Sequence, residues 1–169
     1  MDIAAIKSSE RKLHPPNSAI AHEDRRASDA GRNRPRVLLV TPQPFFEERG
    51  TPIAVALTAR ALSEAGYTVD LLAFPVGTDI AIPGVHMERC RNPFGIDRVP
   101  VGFSLKKMAL DASLLRSFAQ LLAQRDYQVV HAVEEAAWLA AALCPARGVP
   151  FVYDMASSNG LFVGAKEDY

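Results

Sequence analysis

Several short stretches of this chain carry side chains suited to chemistry. His131 is followed closely by Glu134 and Glu135. An imidazole in such company can hydrogen-bond a hydroxyl or carry a proton. The two glutamates would equally well complement the dipole of a helix that begins there. Asp154 precedes Ser157 and Ser158, and could bind a polar ligand or cap a turn. Gly50 and Thr51 stand just before a predicted helix start, where unpaired N–H groups and the helix dipole suit a phosphate. Arg49-Gly-Thr-Pro52 is neither the dinucleotide fingerprint nor a P-loop, and a plain turn is the competing reading. Lys106 and Lys107, with Arg98 and Phe103 nearby, make a basic, partly apolar corner of the kind that meets a membrane surface weakly. Two solvated lysines are the alternative. Cys90 and Cys144 lie far apart without metal-ligand spacing, so both read as buried free thiols. No metal site and no cofactor is expected.

The elements that must position these residues follow from periodicity. Val37 to Val40 is a continuous apolar run, as in a strand buried on both faces, and Pro42 and Pro44 end it. Thr51–Pro52 reads as a capping hydroxyl with proline at the first helical position. Val55, Ala59 and Leu62 recur at helical spacing, and Gly66 suits a left-handed helix end. Strands are predicted over 68–74, 85–90, 127–132 and 150–154. Leu105, Met108, Ala112, Leu115, Ala119 and Leu122 step by threes and fours, which predicts an amphipathic helix facing the core. An alanine-rich helix over 134–143 carries Trp138, expected in the core. This order predicts an α/β fold: a doubly wound, mostly parallel Rossmann-like sheet whose following loops gather on one edge. His131, Gly50 and Asp154 should meet there.

Composition narrows the classes. The chain has 169 residues, 49% of them apolar, which is enough for one core. The formal net charge is zero, so nothing argues for nucleic acid as a partner. No apolar run approaches the roughly 18 residues of a membrane span, and the N-terminus has no signal-like apolar region. A cytoplasmic location is expected, with the basic corner allowing contact with the inner face of a membrane. Residues 1–34 are polar, mixed in charge and broken by Pro and Gly, and are read as a disordered tail. The domain itself spans 35–158.

The ordered segments resemble the N-terminal domain of family 4-type, GT-B fold glycosyltransferases. The resemblance is carried by Arg36-Val-Leu-Leu-Val-Thr-Pro-Gln-Pro44, by Arg49-Gly-Thr-Pro52, by Ala59-Arg-Ala-Leu-Ser-Glu-Ala-Gly-Tyr-Thr-Val69, by Tyr127-Gln-Val-Val-His-Ala132 and by Val149-Pro-Phe-Val-Tyr-Asp154. It implies one half of a GT-B fold. It also implies that Gly50 and Thr51 approach the diphosphate of a nucleotide sugar, and that His131, Glu134, Glu135 and Asp154 line the acceptor and sugar cleft. No catalytic residue is assigned. Arg49 and Val133 depart from the family, where many members carry glycine and histidine respectively, and Ala156 stands where some carry histidine or aspartate. The family's donor-binding second domain has no counterpart here, and Asn159-Gly-Leu-Phe-Val163 is similar to a short block late in that domain. Residues 159–169 therefore read as a remnant of it.

The resemblance implies transfer of a sugar from a nucleotide-diphosphate donor to a hydroxyl acceptor, glycan or lipid-linked. The chain alone is expected to be inactive without a donor domain. Two other classes compete. A non-catalytic α/β module that pairs with a separate donor domain would show an apolar patch at the carboxyl edge of the sheet. Another doubly wound nucleotide-binding enzyme would need a glycine fingerprint that is missing.

Overall fold

The structure is a computed structural model, and it describes residues 34–48, 50–99 and 104–155. Residues 1–33, Arg49, Phe103, Ser157, Ser158 and the 159–169 segment lie outside that description, and so do the expectations placed on them.

Five parallel strands form one sheet in the order β3-β2-β1-β4-β5. They are β1 (Arg36–Val40), β2 (Thr68–Ala73), β3 (Val85–Arg89), β4 (Val129–Val133) and β5 (Phe151–Asp154). Three α-helices connect them: α1 (Gly50–Glu64), α2 (Leu105–Gln124) and α3 (Ala136–Leu143). Both faces of β1 are buried, as its unbroken apolar run requires. Leu38, Val40, Leu72, Val130 and Ala132 pack under α2 and α3, while Leu39, Leu71, Ala73 and Val133 pack under α1. The sheet is thus doubly wound. Among the described residues no helix is long and apolar enough to cross a membrane.

Local chemistry sets the element ends. Gly66, at φ 95°, closes α1: its amide donates to the Ser63 carbonyl and the Tyr67 amide to that of Leu62. Ser104 caps α2 by accepting from the Lys107 amide at 3.1 Å. Thr51 lies inside the first turn of α1 rather than before it, and its hydroxyl serves a different partner.

Two expectations are corrected. The face of α2 that enters the core is Leu110, Leu114, Phe118, Leu121 and Leu122; of the expected stripe only Leu122 is buried, while Leu105, Met108, Ala112 and Leu115 stay exposed. Leu105 is 83% exposed and Met108 48%. The helix is apolar on two opposite sides, and the sheet takes the side with the larger ring of Phe118. Trp138 is 79% exposed, because α3 approaches β4 and β5 through the small residues Ala136 and Ala140.

At the amino end of the sheet, Asp70 is fully buried. Its carboxylate accepts from Arg36, from Arg125 at 2.8 Å and from the Tyr127 hydroxyl at 2.7 Å. Arg125 also pairs with Glu88 on β3. Desolvation pushes the Asp70 carboxyl up, but the bonds from Tyr127, Arg125 and Arg36 outweigh it and hold the group below the usual carboxylate range. The cluster ties β1, β2, β3 and the entry to β4 together.

The two sheet edges differ. β3 is guarded by His86, Glu88 and Arg89. β5 pairs with β4 on one side, and Phe151, Val152 and Tyr153 stay substantially exposed along it.

Candidate functional site

β1 and β4 are neighbours in the sheet, but their following helices lie on opposite faces. Their carboxyl ends therefore diverge and leave a crevice, the position where open α/β sheets hold ligands. A cavity of about 360 Å³ occupies it. Pro42, Gln43 and Pro44 from the loop after β1 form one wall, and Gly50 and Thr51 from the start of α1 form another. Glu134 and Glu135, at the β4–α3 junction, close it, with Val99 and Lys107 at the far side.

Glu134 is the centre of this arrangement. Gln43 Nε2 donates to its Oε2, and the Thr51 hydroxyl donates to its Oε1 at 3.3 Å. Its backbone has φ 50°, the left-handed region that a side chain rarely adopts. The amide of Glu134 donates to the Asp154 carbonyl at 2.9 Å, and its own carbonyl accepts from the Ala137 amide. A strand end, a helix start and a neighbouring strand thus hold one residue in a strained conformation beside a cavity. Such strain gathers at functional sites.

The wall opposite is held by Arg89. Its Nη2 donates to the Phe45 carbonyl at 2.6 Å, and its Nη1 to the carbonyls of Phe74 and Val76. Asp79 accepts from Nε and Nη2 of the same guanidinium. The loop after β1 and the loop after β2 are further laced by the Phe45 and Phe46 amides, which donate to the carbonyls of Val76 and Thr78. Gly77, at φ 121°, sits so close that a Cβ there would lie 2.2 Å from the Phe45 carbonyl oxygen. Lys107 pairs with Asp111 at 3.4 Å, one helical turn on.

Residues 49–167 match the family model of the glycosyl transferase 4-like domain. The chain belongs to that family. Among curated proteins none matches it. Of solved structures, sucrose-phosphate synthase from Thermosynechococcus elongatus is similar at TM-score 0.55 and 19% identity, over 71% of this chain and 32% of that one. The C-terminal domain of a hydrogenase from Pyrococcus furiosus is similar at TM-score 0.48 and 18% identity, over 72% of this chain and 91% of that one. At such identities the likeness to the synthase speaks for the fold: a Rossmann-like α/β sheet. This glycosyl transferase 4-like chain spans about a third of the synthase's length.

In this family member, Gly50, Thr51, Glu134 and Glu135 come together at one cavity. His131 and Asp154 form a second group. His131 sits in the middle of β4, opposite Leu39 and Val152, rather than at the strand's end. Its Nε2 lies 3.0 Å from Asp154 Oδ2, and both side chains keep some exposure. The sequence did not single out Gln43 or Arg89, and it read Lys107 as part of a basic surface corner rather than as a cavity residue. Gln43, between two prolines just past a buried strand, was the readable one of the two, because prolines there fix the loop that carries it. Among the described residues no cluster of three or more His, Cys, Asp or Glu could hold a metal ion. Cys90 and Cys144 are buried, and burial pushes the Cys90 thiol up to about 11.

Proposed function

We propose that this chain is the acceptor-side, N-terminal half of a two-domain glycosyltransferase that moves a sugar from a nucleotide-diphosphate donor to a hydroxyl acceptor. The observation that carries the reading is Glu134, held in a left-handed backbone by Gln43, Thr51 and the Asp154 carbonyl at a switch-point cavity of a glycosyl transferase 4-like chain. A carboxylate so fixed is an acceptor for sugar or alcohol hydroxyls. Gly50 and Thr51, at the start of α1, are the groups nearest the donor diphosphate. The His131–Asp154 pair, on β4 and β5, supplies an imidazole oriented by a carboxylate. Charge that builds on a leaving diphosphate needs several cations. Among the described lining residues Lys107 is the cation, and Asp111 already engages it. The remaining cations would come from a donor-binding domain, so the chain alone should transfer no sugar.

The test is a titration of the chain with a neutral methyl glycoside and, separately, with a nucleoside diphosphate hexose, followed by amide chemical shifts. The glycoside should move Gln43, Thr51 and Glu134, and the nucleotide sugar should bind no tighter than millimolar. One helix N-terminus contributes only about 0.3–1 kcal/mol to anion binding. Micromolar nucleotide-sugar binding, or glycoside shifts confined to other regions, would overturn the reading.

A second reading has one observation in its favour. Ile53, Leu105, Met108 and Trp138 are exposed on the first turns of the three helices, and those turns lie at the carboxyl edge in a parallel sheet. A non-catalytic module docking a partner domain there would bind that domain without binding any glycoside.

A further inference from the structure

We propose that the acceptor received by this cavity carries an ammonium group, an amino sugar being the class that fits, and that Glu135 selects it by charge. The inference rests on the acceptor-side reading above and adds the charge of the ligand to it. Two consecutive carboxylates, Glu134 and Glu135, line the cavity. Their surroundings differ. Helix α1 has no acidic residue in its own first turn, where unpaired amides favour an anion. Glu134 supplies that anion from 83 positions away, accepting from the Thr51 hydroxyl while Gln43 holds its other oxygen. Its charge is answered within the chain.

Glu135 is placed otherwise. It is the N-cap residue of α3, where a side chain commonly accepts from the helix amides, and it makes no such bond. Among the described residues its carboxylate has no hydrogen bond and no ion pair. The cation among the described lining residues is Lys107, and Asp111 engages it at 3.4 Å. A carboxylate that lines a cavity without such a partner draws a cation and repels an anion. The rest of the wall sets the shape. Pro42, Pro44 and Pro52 have no N–H to offer, and with Val99 they present apolar surface. That surface suits the C–H face of a pyranose. A volume of about 360 Å³ stands at the small end of ligand pockets, on the scale of one ring. A ring with a hydroxyl and an ammonium on neighbouring carbons offers one donor group to each of the two consecutive carboxylates.

The experiment is a titration of the full chain at pH 6, followed by amide chemical shifts, with the methyl glycosides of glucosamine, N-acetylglucosamine, glucose and glucuronic acid. The amine of glucosamine, like an α-amino group with its value of about 7.7–8, is protonated there. The glucosaminide should bind about fivefold tighter than the glucoside, and the glucuronide about fivefold weaker, the scale of one solvent-accessible ion pair. The N-acetyl compound should match the glucoside, since it keeps the substituent and loses the charge. Salt at about 1 M should narrow the gaps, because charges are then screened beyond roughly 3 Å. Glu135→Gln should bring all four within about twofold of one another at a nearly unchanged melting temperature. Glu64→Gln, at the far end of α1, should leave the order as it was. Equal binding of charged and neutral glycosides by the wild type, an N-acetyl compound as tight as the free amine, or an order that survives Glu135→Gln would overturn the proposal and leave the acceptor site standing. Glycosides that bind without moving Gln43, Thr51 and Glu134, or that do not bind at all, would overturn the acceptor reading and the proposal with it.

Discussion

His131 and Asp154 occupy neighbouring parallel strands, and His131 Nε2 lies 3.0 Å from Asp154 Oδ2. A carboxylate there favours the tautomer with hydrogen on Nε2, which leaves the lone pair on Nδ1. The pair is partly exposed, so its contribution to stability is about 0–1 kcal/mol. His131→Ala should therefore barely move the melting temperature. If the imidazole serves an acceptor hydroxyl, the same change should cut turnover of the chain joined to a donor domain. Asp154→Asn should cut it as well, by releasing the tautomer. A large loss of stability with unchanged turnover per folded molecule would mark the histidine as structural.

Glu134→Gly tests the strained residue. Glycine relieves a left-handed backbone cost of about 1–2 kcal/mol, but it also removes two bonds from Gln43 and Thr51 to a carboxylate, at about 1.5–3 kcal/mol each. The bonds win, and denaturant unfolding should show a net loss of about 1–5 kcal/mol. Glu134→Gln keeps much of that bonding and should stay near wild-type stability, yet bind a methyl glycoside more weakly, because a neutral amide is the poorer acceptor.

Asp70→Ala should cost about 3–5 kcal/mol, since it leaves Arg36 and Arg125 beside a buried site with no anion. The wild type should also lose stability in acid. Its carboxyl is held below the ordinary value of about 3.9. The stabilisation is thus fully present above that value and is lost as pH falls through the lower, folded one. Unfolding measured from pH 6 downward should show this loss below about pH 4, and Asp70→Asn should flatten it.

Much of this was legible in the chain. A run such as Val37–Val40 has one good home, the middle of a parallel sheet, and β1 is there. The α2 helix shows where legibility stops. Its period was plain, but two stripes share that period, and only the sheet decides which is buried. Trp138 repeats the lesson: an apolar residue in a helix reads as core until alanine spacing reveals the closer face. Asp70 left a signal that was passed over, a carboxylate inside Thr-Val-Asp-Leu-Leu-Ala, where burial demands partners. Those partners lie as far as 57 positions away, so no local pattern names them. The cavity was readable as an edge and not as a list. Gly50, Thr51 and Glu134 fell on it by topology, while Gln43 arrived by loop geometry and Lys107 on the first turn of α2.

Gly77→Ala should damage the cavity wall from a distance. A methyl group placed 2.2 Å from the Phe45 carbonyl oxygen, on a backbone at φ 121°, forces the two loops apart. The expected cost is about 2 kcal/mol or more. Hydrogen exchange should quicken at the Phe45 and Phe46 amides, which bond to the loop carrying Gly77, before it quickens in β1.

The apolar edge strand β5 bears on how this protein behaves in a test tube. Among the described residues no strand pairs with the outer side of Phe151, Val152 and Tyr153, and β5 itself carries no lysine or proline of the kind natural edges use as deterrents. Strand addition at such an edge is a second-order process, so dilution protects and concentration harms. Refolding yield should depend on protein concentration far more than on temperature, and a charge introduced at Val152 would be the first solubility repair to make.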